Sequence, residues 1–415
     1  MIARFPHLCA ALVACFLLSA GLLGGIAYAD SLEMEYVHAI APLTLLQKRQ
    51  GLALQRVALR QNDLLPIYGS SELNLRDPFR ASKIFLLYPT GFNVFTVGGN
   101  SDGPILQLQM MAGMGAALRG KRVAISLSPQ FYIEPGLDEV AYRANYSRLH
   151  AYALALSGLP ASLKQRAAER MLQYPDTVQN DALLWMVLTQ VADERSTSAG
   201  QAQAWSRLMY VLLYPLAKLQ ELTLELQDHW EVVNWIWEHP EIQPAVQRRA
   251  QASINWEKLQ ARATVYAQSL ATNNRFGIPN RDWLKRWREW FRQDRHSLKD
   301  VDFLKGLDGS RNWSDLELLL EIMKAEGAQP LVISMPLHGL YWDMRGVSAS
   351  ARQAYYEKLR ALGEREQVPV VTFDQFENDK YFLIDPGSHL SARGWVYYSQ
   401  ALNAFYHGEL KGVAP

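Results

Sequence analysis

The chain of 415 residues has only two cysteines, Cys9 and Cys15, and both lie in its first segment. The rest of the sequence therefore has no thiol for a disulfide, a cysteine-based metal site or a cysteine nucleophile. A hydrophobic core has to hold this part together. With 49% hydrophobic and 20% charged residues, the chain has the composition of a globular protein.

The chain also lacks an excess of charge of either sign. The chain has 42 Lys and Arg against 41 Asp and Glu, a formal net charge of +1, so no overall field favours nucleic acid as a partner. Gly98-Gly99-Asn100 lacks the pattern that follows a phosphate-binding glycine loop. The spacing of Asp, Glu and His indicates no metal site, so we expect neither a metal nor a cofactor.

The first segment contains a long uncharged, apolar run. It covers residues 8–28 and follows Arg4, while Asp30 and Glu33 lie just beyond it. Roughly 20 helical residues cross the hydrocarbon core of a bilayer. Positive flanking residues stay cytoplasmic, so we predict a single-pass anchor in the cytoplasmic membrane and an extracytoplasmic domain, periplasmic in a Gram-negative cell.

Two other interpretations of this segment compete with an anchor. Ala27-Tyr28-Ala29 resembles a signal-peptidase site, and cleavage there would release a soluble protein. Residues 12–15, ending at Cys15, resemble a lipoprotein box, but the residues after Cys15 are apolar rather than polar. We favour the anchor because the run is long for a signal peptide.

Short apolar runs bounded by turn residues predict buried strands separated by helices. Strand–helix–strand alternation indicates an α/β fold with a five-stranded parallel sheet, whose ligands bind at the carboxyl ends of the strands. Helices are expected at 103–119, 349–366 and 392–407. The predicted strands are residues 64–68, 94–97, 122–127, 331–335 and 368–373.

About 190 residues between the third and fourth strands read as helical, for example 158–173, 200–227 and 245–270. This region is expected to be a large α-helical insertion on the α/β core. The predicted organisation is an anchor at 1–29, a stalk helix at 30–60, a catalytic domain at 61–136 and 301–415, and the insertion at 137–300.

A serine turn is the first candidate for chemistry. Gly69-Ser70-Ser71-Glu72-Leu73 follows a predicted strand, and such a turn exposes a hydroxyl above the sheet. A serine becomes a nucleophile only if a base removes its proton. Alone, the pentapeptide also fits an ordinary serine helix cap.

The second candidate lies near the carboxyl terminus, where Asp385 precedes His389 in the loop before the last helix. A histidine base requires a carboxylate that holds its far nitrogen, so that the near nitrogen faces the nucleophile. Asp385 is suited to that role. The alternative is that His389 only caps or packs beside the helix.

Together these two segments resemble the SGNH/GDSL esterases. That resemblance implies Ser71 as nucleophile, with Ser70 as a second choice, and His389 and Asp385 as base and orienting acid. It also implies an oxyanion hole made by the Ser71 amide, Gly98 or Gly99, and Gln130. The sequence departs from the family in three ways: Ser70 replaces Asp, Gln130 replaces Asn, and the Asp-to-His spacing is one residue longer.

The chain also resembles one particular family, the D-alanyl transfer (DltD) proteins of envelope D-alanylation systems. The resemblance rests on the N-terminal anchor and on motifs spread over residues 60–400. These are Gly-Ser-Ser-Glu-Leu at 69–73, Ser-Pro-Gln-Phe at 128–131, Asn-Asn-Arg-Phe-Gly-Ile at 273–278, Pro-Leu-His-Gly at 336–339 and His-Leu-Ser with Gly-Trp at 389–395.

This second resemblance implies transfer of D-alanine to an envelope polymer or lipid, either teichoic acid or lipopolysaccharide. It implies as partners a membrane-bound O-acyltransferase, DltB, and a D-alanyl donor delivered from the carrier protein DltC. Ser70, Glu72, His338 and Trp342 are further candidates for contact with substrate. A D-alanyl esterase or thioesterase, or a non-catalytic adaptor for the acyltransferase, remain as alternatives.

Overall fold

The computed structural model describes residues 6–74, 76–133, 136–193, 201–245 and 253–410. Some features expected from the sequence lie outside these residues. They are Arg4, residue 200 and residues 246–252.

A five-stranded parallel sheet forms the centre of the described structure, as the sequence predicted. Its strand order is β2-β1-β3-β4-β5, and every neighbouring pair is parallel. Helices connect strands that point the same way, so all five carboxyl ends lie at one edge of the sheet. The strands are β1 (Leu64–Gly69), β2 (Asn93–Gly98), β3 (Arg122–Leu127), β4 (Gln329–Ser334) and β5 (Val370–Thr372).

The last strand is shorter than the run at 368–373 predicts. The backbone N–H of Val368 donates to the Gly363 carbonyl at 2.8 Å, which closes the preceding helix, and Pro369 has no N–H for the ladder. Pairing with β4 therefore covers only Val370–Thr372.

Helices cover both faces of the sheet and account for most of the remaining residues. The helices predicted at 349–366 and 392–407 have their observed bounds, whereas the helix predicted at 200–227 continues to Glu238 and the one predicted at 245–270 begins at Trp256 in the described residues. They are α1 (Pro6–Ile40), α2 (Leu46–Gln50), α3 (Ala53–Arg60), α4 (Ala81–Leu87), α5 (Pro104–Met114), α6 (Glu139–Asn145), α7 (Arg148–Ala155), α8 (Ala161–Met171), α9 (Pro175–Val178), α10 (Ala182–Asp193), α11 (Gln201–Glu238), α12 (Trp256–Leu270), α13 (Asn280–Asp282), α14 (Arg288–Gln293), α15 (Asp300–Gly309), α16 (Asn312–Ala325), α17 (Gly339–Arg345), α18 (Ala349–Glu366) and α19 (Ala392–His407).

Alternate residues of the strands pack into two different hydrophobic clusters. Val123 and Ile125 of β3 join the larger cluster, while Ala124 between them joins the smaller one with α4 and α19. Successive side chains of a strand point to opposite faces, so an apolar run buried on both faces supplies both layers. This arrangement explains why the strands read as continuous apolar runs.

Helix α1 divides into an exposed part and a packed part. Among the described residues, Cys9–Ile40 is the one helical stretch long and apolar enough to cross a membrane, with a mean hydropathy of 2.3 in its most apolar window. Side chains before residue 29 are largely exposed, whereas Val37 and Ile40 are fully buried in the larger cluster. Arg60 of α3 is paired with Asp30, so the end of the apolar run is tied to the domain.

The segment predicted as a stalk, residues 30–60, lies against the domain. Leu52 and Leu54 are buried in the larger cluster, and Asp228 of α11 accepts hydrogen bonds from the Leu52 and Ala53 amides at 2.6 and 2.8 Å. Helices α6–α10 between β3 and β4 contribute buried residues to the same cluster. The helical region and the sheet therefore share one core.

Candidate active site

The carboxyl ends of β1, β2 and β3 bring the predicted serine turn and its neighbours together. Gly69 pairs with Gly98 in the last register position of β1 and β2, and Ser128 directly follows β3. Ser71 begins a short 3₁₀ helix, Ser71–Leu73, immediately after the strand-end turn. The loop before α19 reaches this edge and carries Asp385 and His389.

Three side chains predicted from distant segments form a hydrogen-bonded chain. His389 Nε2 lies 3.1 Å from Ser71 Oγ, and His389 Nδ1 lies 2.6 Å from Asp385 Oδ2. Both distances allow hydrogen bonds. With Asp385 accepting from Nδ1–H, Nε2 carries the lone pair that can take the serine proton. The extra residue between Asp385 and His389 does not prevent the contact.

The charge environment of His389 suits a base. Burial disfavours its protonated form, but the hydrogen bond and the negative charge of Asp385 outweigh burial and raise its pKa above the usual value. Glu72 adds to the increase, while the positive charge of Arg286 opposes it. Only about 20% of the His389 side chain is exposed, so few water molecules compete for its nitrogens.

Glu72 connects the three loops around the serine. Its Oε1 accepts from the Ser70 amide at 2.7 Å, and its Oε2 accepts from Ser128 Oγ at 2.8 Å. Ser388 Oγ in turn donates to Ser128 Oγ at 2.6 Å, one residue before His389. Glu72 therefore fixes the nucleophile turn relative to the end of β3 and to the histidine loop.

This position differs from the role expected of Glu72 as a substrate contact. The residue is 0% exposed and both its oxygens are occupied by protein groups, so substrate cannot reach it. Burial raises its pKa, although the hydrogen bonds from Ser70 and Ser128 oppose the increase. Glu72 therefore contacts the loops that surround the serine turn from within the protein.

The two adjacent serines have different surroundings. Ser70 is 2% exposed, and its Oγ donates to the Gly99 carbonyl at 3.1 Å. Ser71 is partly exposed and faces His389. The geometry therefore favours Ser71 over Ser70 as the nucleophile, and Ser70 is too buried for the substrate contact expected of it.

Gly98 and Gly99 lie directly beside the serine turn. A side chain at Gly98 would come within 2.8 Å of the Gly69 carbonyl oxygen, and a side chain at Gly99 would collide with the Arg49 guanidinium. At Gly98 only glycine allows this close approach of the strand ends, whereas at Gly99 the neighbour is the flexible side chain of Arg49. Both backbone amides thus lie near the turn.

Gln130 lies next to the histidine loop, near Gly387. Its Nε2 is 3.7 Å from the point where a Gly387 side chain would begin, and that point is 3.8 Å from His389 Nδ1. Its Oε1 is buried without a hydrogen-bond partner among the described residues. Gln130 is therefore next to the triad loop, and its side-chain oxygen is an acceptor without a donor among the described residues.

His338 and Trp342 lie at and beyond the end of β4. His338 is 3% exposed, its Nε2 lies 3.1 Å from the Phe276 carbonyl, and its Nδ1 accepts from the Tyr341 amide at 3.3 Å. Burial lowers its pKa. His338 therefore caps α17 and joins it to the Asn-Asn-Arg-Phe-Gly-Ile segment, with both ring nitrogens in contact with backbone groups, and its contact with substrate stays a prediction. Trp342 lines a cavity that also reaches Gln130 and Gly387.

Sequence reasoning missed two charged groups next to Gly99. Asp102 is 2% exposed, and burial raises its pKa to about 7, against the opposing effects of the Arg49 charge and the Gly99 amide. Asp102 lies shortly after the end of β2, and this position could have marked it in the sequence as a candidate site residue. Arg49 lies in the segment read as a stalk, where no sequence pattern distinguished it.

One cluster of carboxylates among the described residues is compact enough for a metal ion. It consists of Glu317, Glu321 and Glu366 on α16 and α18, away from the strand-end loops. Each is already in contact with a cation of the protein. The pairs are Arg365–Glu317, Arg166–Glu321 and Lys324–Glu366.

A family model described as DltD protein matches residues 44–407, which include the whole candidate site. The chain belongs to the DltD family. It is 31% identical over 367 residues to Protein DltD of Bacillus subtilis (strain 168), covering 86% of each chain. It is 24% identical over 364 residues to Protein DltD of Staphylococcus aureus (strain NCTC 8325 / PS 47), covering 88% of this chain and 86% of the relative.

A third DltD relative, from Lacticaseibacillus rhamnosus, is 23% identical over 361 residues and matches 86% of this chain and 80% of its own length. Membership of the DltD family implies involvement in D-alanylation of envelope polymers, together with other Dlt proteins. The apolar part of α1 suggests that the protein is anchored in a membrane.

Proposed function

We propose that this DltD protein is an SGNH-like serine acyltransferase that moves D-alanine onto a hydroxyl of an envelope polymer or lipid. The observation that carries the proposal is that His389 contacts Ser71 through Nε2 and Asp385 through Nδ1. A serine, a histidine and a carboxylate in this order form the catalytic unit of many acyl-transfer enzymes on unrelated folds.

In the first step, Ser71 Oγ attacks the carbonyl carbon of a D-alanyl ester or thioester, and its proton passes to His389 Nε2. Asp385 stabilises the resulting imidazolium. The tetrahedral intermediate collapses by breaking the bond to the donor oxygen or sulfur, which receives the proton from His389. The product is a D-alanyl ester of Ser71.

In the second step, an acceptor hydroxyl gives its proton to His389 and attacks the same carbonyl carbon. The bond to Ser71 Oγ breaks, the serine regains its proton, and D-alanine leaves on the acceptor. Teichoic acid and lipopolysaccharide are the two acceptors that we consider. With water as acceptor, the same residues would act as a D-alanyl esterase or thioesterase.

Both steps develop negative charge on the carbonyl oxygen, which has to be stabilised. The candidate donors are the Ser71 amide, the amide of Gly98 or Gly99, and the Gln130 side chain. Removing one such donor typically slows acyl transfer by about 10²–10³-fold. Gln130 supports this role because it lies beside the triad loop and offers the same amide group as asparagine.

The position of the domain determines how D-alanine can arrive. We propose that the apolar part of α1, residues 8–28, spans the cytoplasmic membrane and that the domain lies outside it, in the periplasm if the cell is Gram-negative. An outer domain cannot meet the cytoplasmic carrier DltC directly. The membrane-bound O-acyltransferase DltB would therefore pass on the D-alanyl group that DltC delivers.

Labelling with a fluorophosphonate tests the nucleophile. We expect one adduct, at Ser71 in the peptide map, and none in the Ser71→Ala variant. Ser70→Ala is the matched control, because it changes the neighbouring hydroxyl and should still be labelled. An adduct at Ser70, or none at either serine, would rule out the proposed nucleophile.

Ester-linked D-alanine in fractionated envelopes tests the reaction in cells. A deletion strain complemented with Ser71→Ala or His389→Ala should lose the D-alanine that the wild-type protein restores. The fraction that regains D-alanine identifies the acceptor. If both variants are present in normal amount and restore D-alanine fully, the protein acts as a non-catalytic adaptor for the acyltransferase.

Alkaline phosphatase fused after Pro415 tests the orientation. The phosphatase is active only outside the cytoplasm, so we expect an active fusion. Accessibility of the domain to protease in spheroplasts is the second readout. Full protection of residues 30–415 would contradict the outer location and the proposed route of D-alanine.

A further inference from the structure

A groove lies between the apolar part of α1 and the end of α11. It has a volume of about 220 Å³, and its walls come from residues between 21 and 29 and between 226 and 237. A spacing of three or four residues places the apolar side chains of α11 on one face of that helix. These side chains are Leu226, Trp230, Val233 and Trp237.

A contact at one end of the groove fixes the relative direction of the two helices. His229 Nδ1 lies 2.7 Å from Glu33 Oε1, and Glu33 is 0% exposed. The α1 residues that line the groove all precede Glu33, whereas those of α11 continue from His229 to Trp237. The two helices are therefore antiparallel, and the end of α11 lies alongside the apolar span.

The proposed span sets the depth of this groove. If residues 8–28 cross the membrane, Gly21 lies about 10 Å inside the end of the span at Tyr28, measured along the helix axis. The apolar faces of helices that lie in a membrane interface are buried to a similar depth, about 5–10 Å. The groove therefore opens to the head groups and the first part of the acyl chains.

The residue types at the end of α11 agree with that depth. Trp230 and Trp237 are 56% and 53% exposed, and their ring centroids lie 5.8 Å apart. Tryptophan is enriched where membrane meets water, because its ring is apolar and its N–H is polar. The exposed Glu231 and Glu238 lie outside the groove. An apolar, aromatic face is therefore turned to the span.

Glycines leave the groove unfilled on the side of α1. A side-chain atom added at Gly21 or Gly25 would meet nothing within 4 Å, although both residues line the groove. An apolar cavity of about 150 Å³ is large enough to bind benzene. One turn of a helix, about 10 Å across and 5.4 Å long, occupies about 400 Å³. The groove therefore has room for an extended acyl chain but is too small to enclose a helix of a partner protein.

We propose that this groove binds an acyl chain of an outer-leaflet phospholipid, so that the end of α11 forms a second contact with the membrane beside the anchor. The inference rests on the proposed span and orientation of α1. The chain packs against Trp230, Val233 and Trp237. Interfacial tryptophans set the tilt of a helix in a bilayer, so this contact holds α1 and the attached domain at one angle to the membrane.

Brominated lipids provide the test, because bromine quenches tryptophan fluorescence on contact. The full-length protein is reconstituted in phosphatidylglycerol nanodiscs whose acyl chains are either plain or brominated close to the head group. Trp230 and Trp237 are two of twelve tryptophans, so brominated lipid should remove about a sixth of the emission if all twelve emit equally.

Single substitutions identify the quenched rings. Trp237→Phe and Trp230→Phe each remove one ring and keep an apolar side chain in the groove. Each should lower the quenched emission by about half, since one of the two groove tryptophans is lost. Trp290→Phe is the matched control, because Trp290 is 46% exposed and lies on α14, outside the groove. Its quenched emission should equal that of wild type.

Filling the groove separates a bound chain from simple exposure to the bilayer. Gly25→Leu places a side chain in the groove and should displace the acyl chain, so quenching of the tryptophans should fall. Gly24→Leu is the matched control, because a side chain there also meets nothing within 4 Å but does not line the groove. Equal quenching in these two variants would overturn the bound chain.

Wild-type quenching in both Trp237→Phe and Trp230→Phe would also overturn the inference, and would leave the groove to a segment of a membrane protein. Retention of the protein in the nanodisc fraction is measured in the same samples. If the protein is retained and the groove variants behave as wild type, the span stands and this inference alone fails. If the protein is not retained, the proposed span fails and the inference fails with it.

Discussion

Replacing Glu72 tests the network that positions Ser71. In Glu72→Ala, the Ser70 amide and the Ser128 hydroxyl both lose a buried acceptor. Each buried group left unpaired costs about 1–3 kcal/mol. We therefore expect the free energy of unfolding to fall by about 2–6 kcal/mol, and labelling of Ser71 to slow because its turn is no longer fixed.

Glu72→Gln separates hydrogen bonding from charge. Glutamine loses the charged acceptor but also loses the cost of burying a charge. Because burial outweighs the hydrogen bonds and raises the pKa of Glu72, ionising this carboxyl is less favourable in the folded protein than in the unfolded chain. We expect the glutamine variant to be within about 1 kcal/mol of wild type near neutral pH, far closer than the alanine variant.

The pH dependence follows with a definite sign. A carboxyl whose folded pKa is raised stabilises the fold below its unfolded value, near 4.5, and loses that contribution as the pH rises through the folded value. Wild type should therefore lose stability relative to Glu72→Gln over this interval. Urea unfolding followed by tryptophan fluorescence, between about pH 4.5 and 8, measures the difference.

The matched controls are Glu357→Ala and Glu357→Gln, because Glu357 is an exposed glutamate in the middle of α18. Surface substitutions of this kind change stability by about 0.5 kcal/mol or less. The reasoning would be refuted if Glu72→Gln lost as much stability as Glu72→Ala. It would also be refuted if wild type and Glu72→Gln had the same pH dependence.

Three further changes test other parts of the structure. Asp385→Asn removes the main cause of the raised His389 pKa, so the pH midpoint of fluorophosphonate labelling should move lower while the plateau rate falls about 10⁴-fold; an unchanged midpoint would contradict the pairing. Gly98→Ala places a side chain against strand backbone and should lower the free energy of unfolding by about 1–3 kcal/mol, whereas Gly99→Ala meets only a flexible side chain and should lower it less. Thermal unfolding of both variants measures the difference. Asp228→Ala leaves two backbone amides near the start of α3 unpaired and should lower the free energy of unfolding by about 2–6 kcal/mol. An unchanged free energy in urea unfolding would contradict this expectation.

The sheet could be predicted from the sequence because each strand is buried on both faces. In the run Arg122–Leu127 four of the six residues are apolar and all but Arg122 are buried, and the run ends at turn residues, so the sequence indicates both the strand and its end. The fifth strand was overestimated because its length depends on a helix-closing hydrogen bond and on Pro369, neither of which apolarity reveals. Helix α19 was predicted at its observed bounds, and in the structure the Ser391 side chain caps its start by accepting from the Gly394 amide.

The role of Glu72 could not be inferred in this way. Its place in the chain, beside Ser71, suggested contact with substrate, whereas burial is a property of the packed molecule. Its partner Ser128 lies 56 residues away, and Ser388 lies 260 residues from Ser128. No periodic pattern connects such positions, because hydrogen bonds between loops depend on how strands align at the sheet edge.

The sequence by itself determined the apolar helix, the parallel sheet and the residue types of the Ser71–His389–Asp385 unit. These are local properties, since hydrophobic periodicity and turn residues act over a few positions of the chain. The tertiary structure alone showed that Ser71 faces His389 while Ser70 faces the Gly99 carbonyl. It alone showed that Glu72 and His338 are buried and that an aromatic cavity lies beside Gly387. Those outcomes depend on distances between segments that lie far apart in sequence, and packing of the whole core sets them.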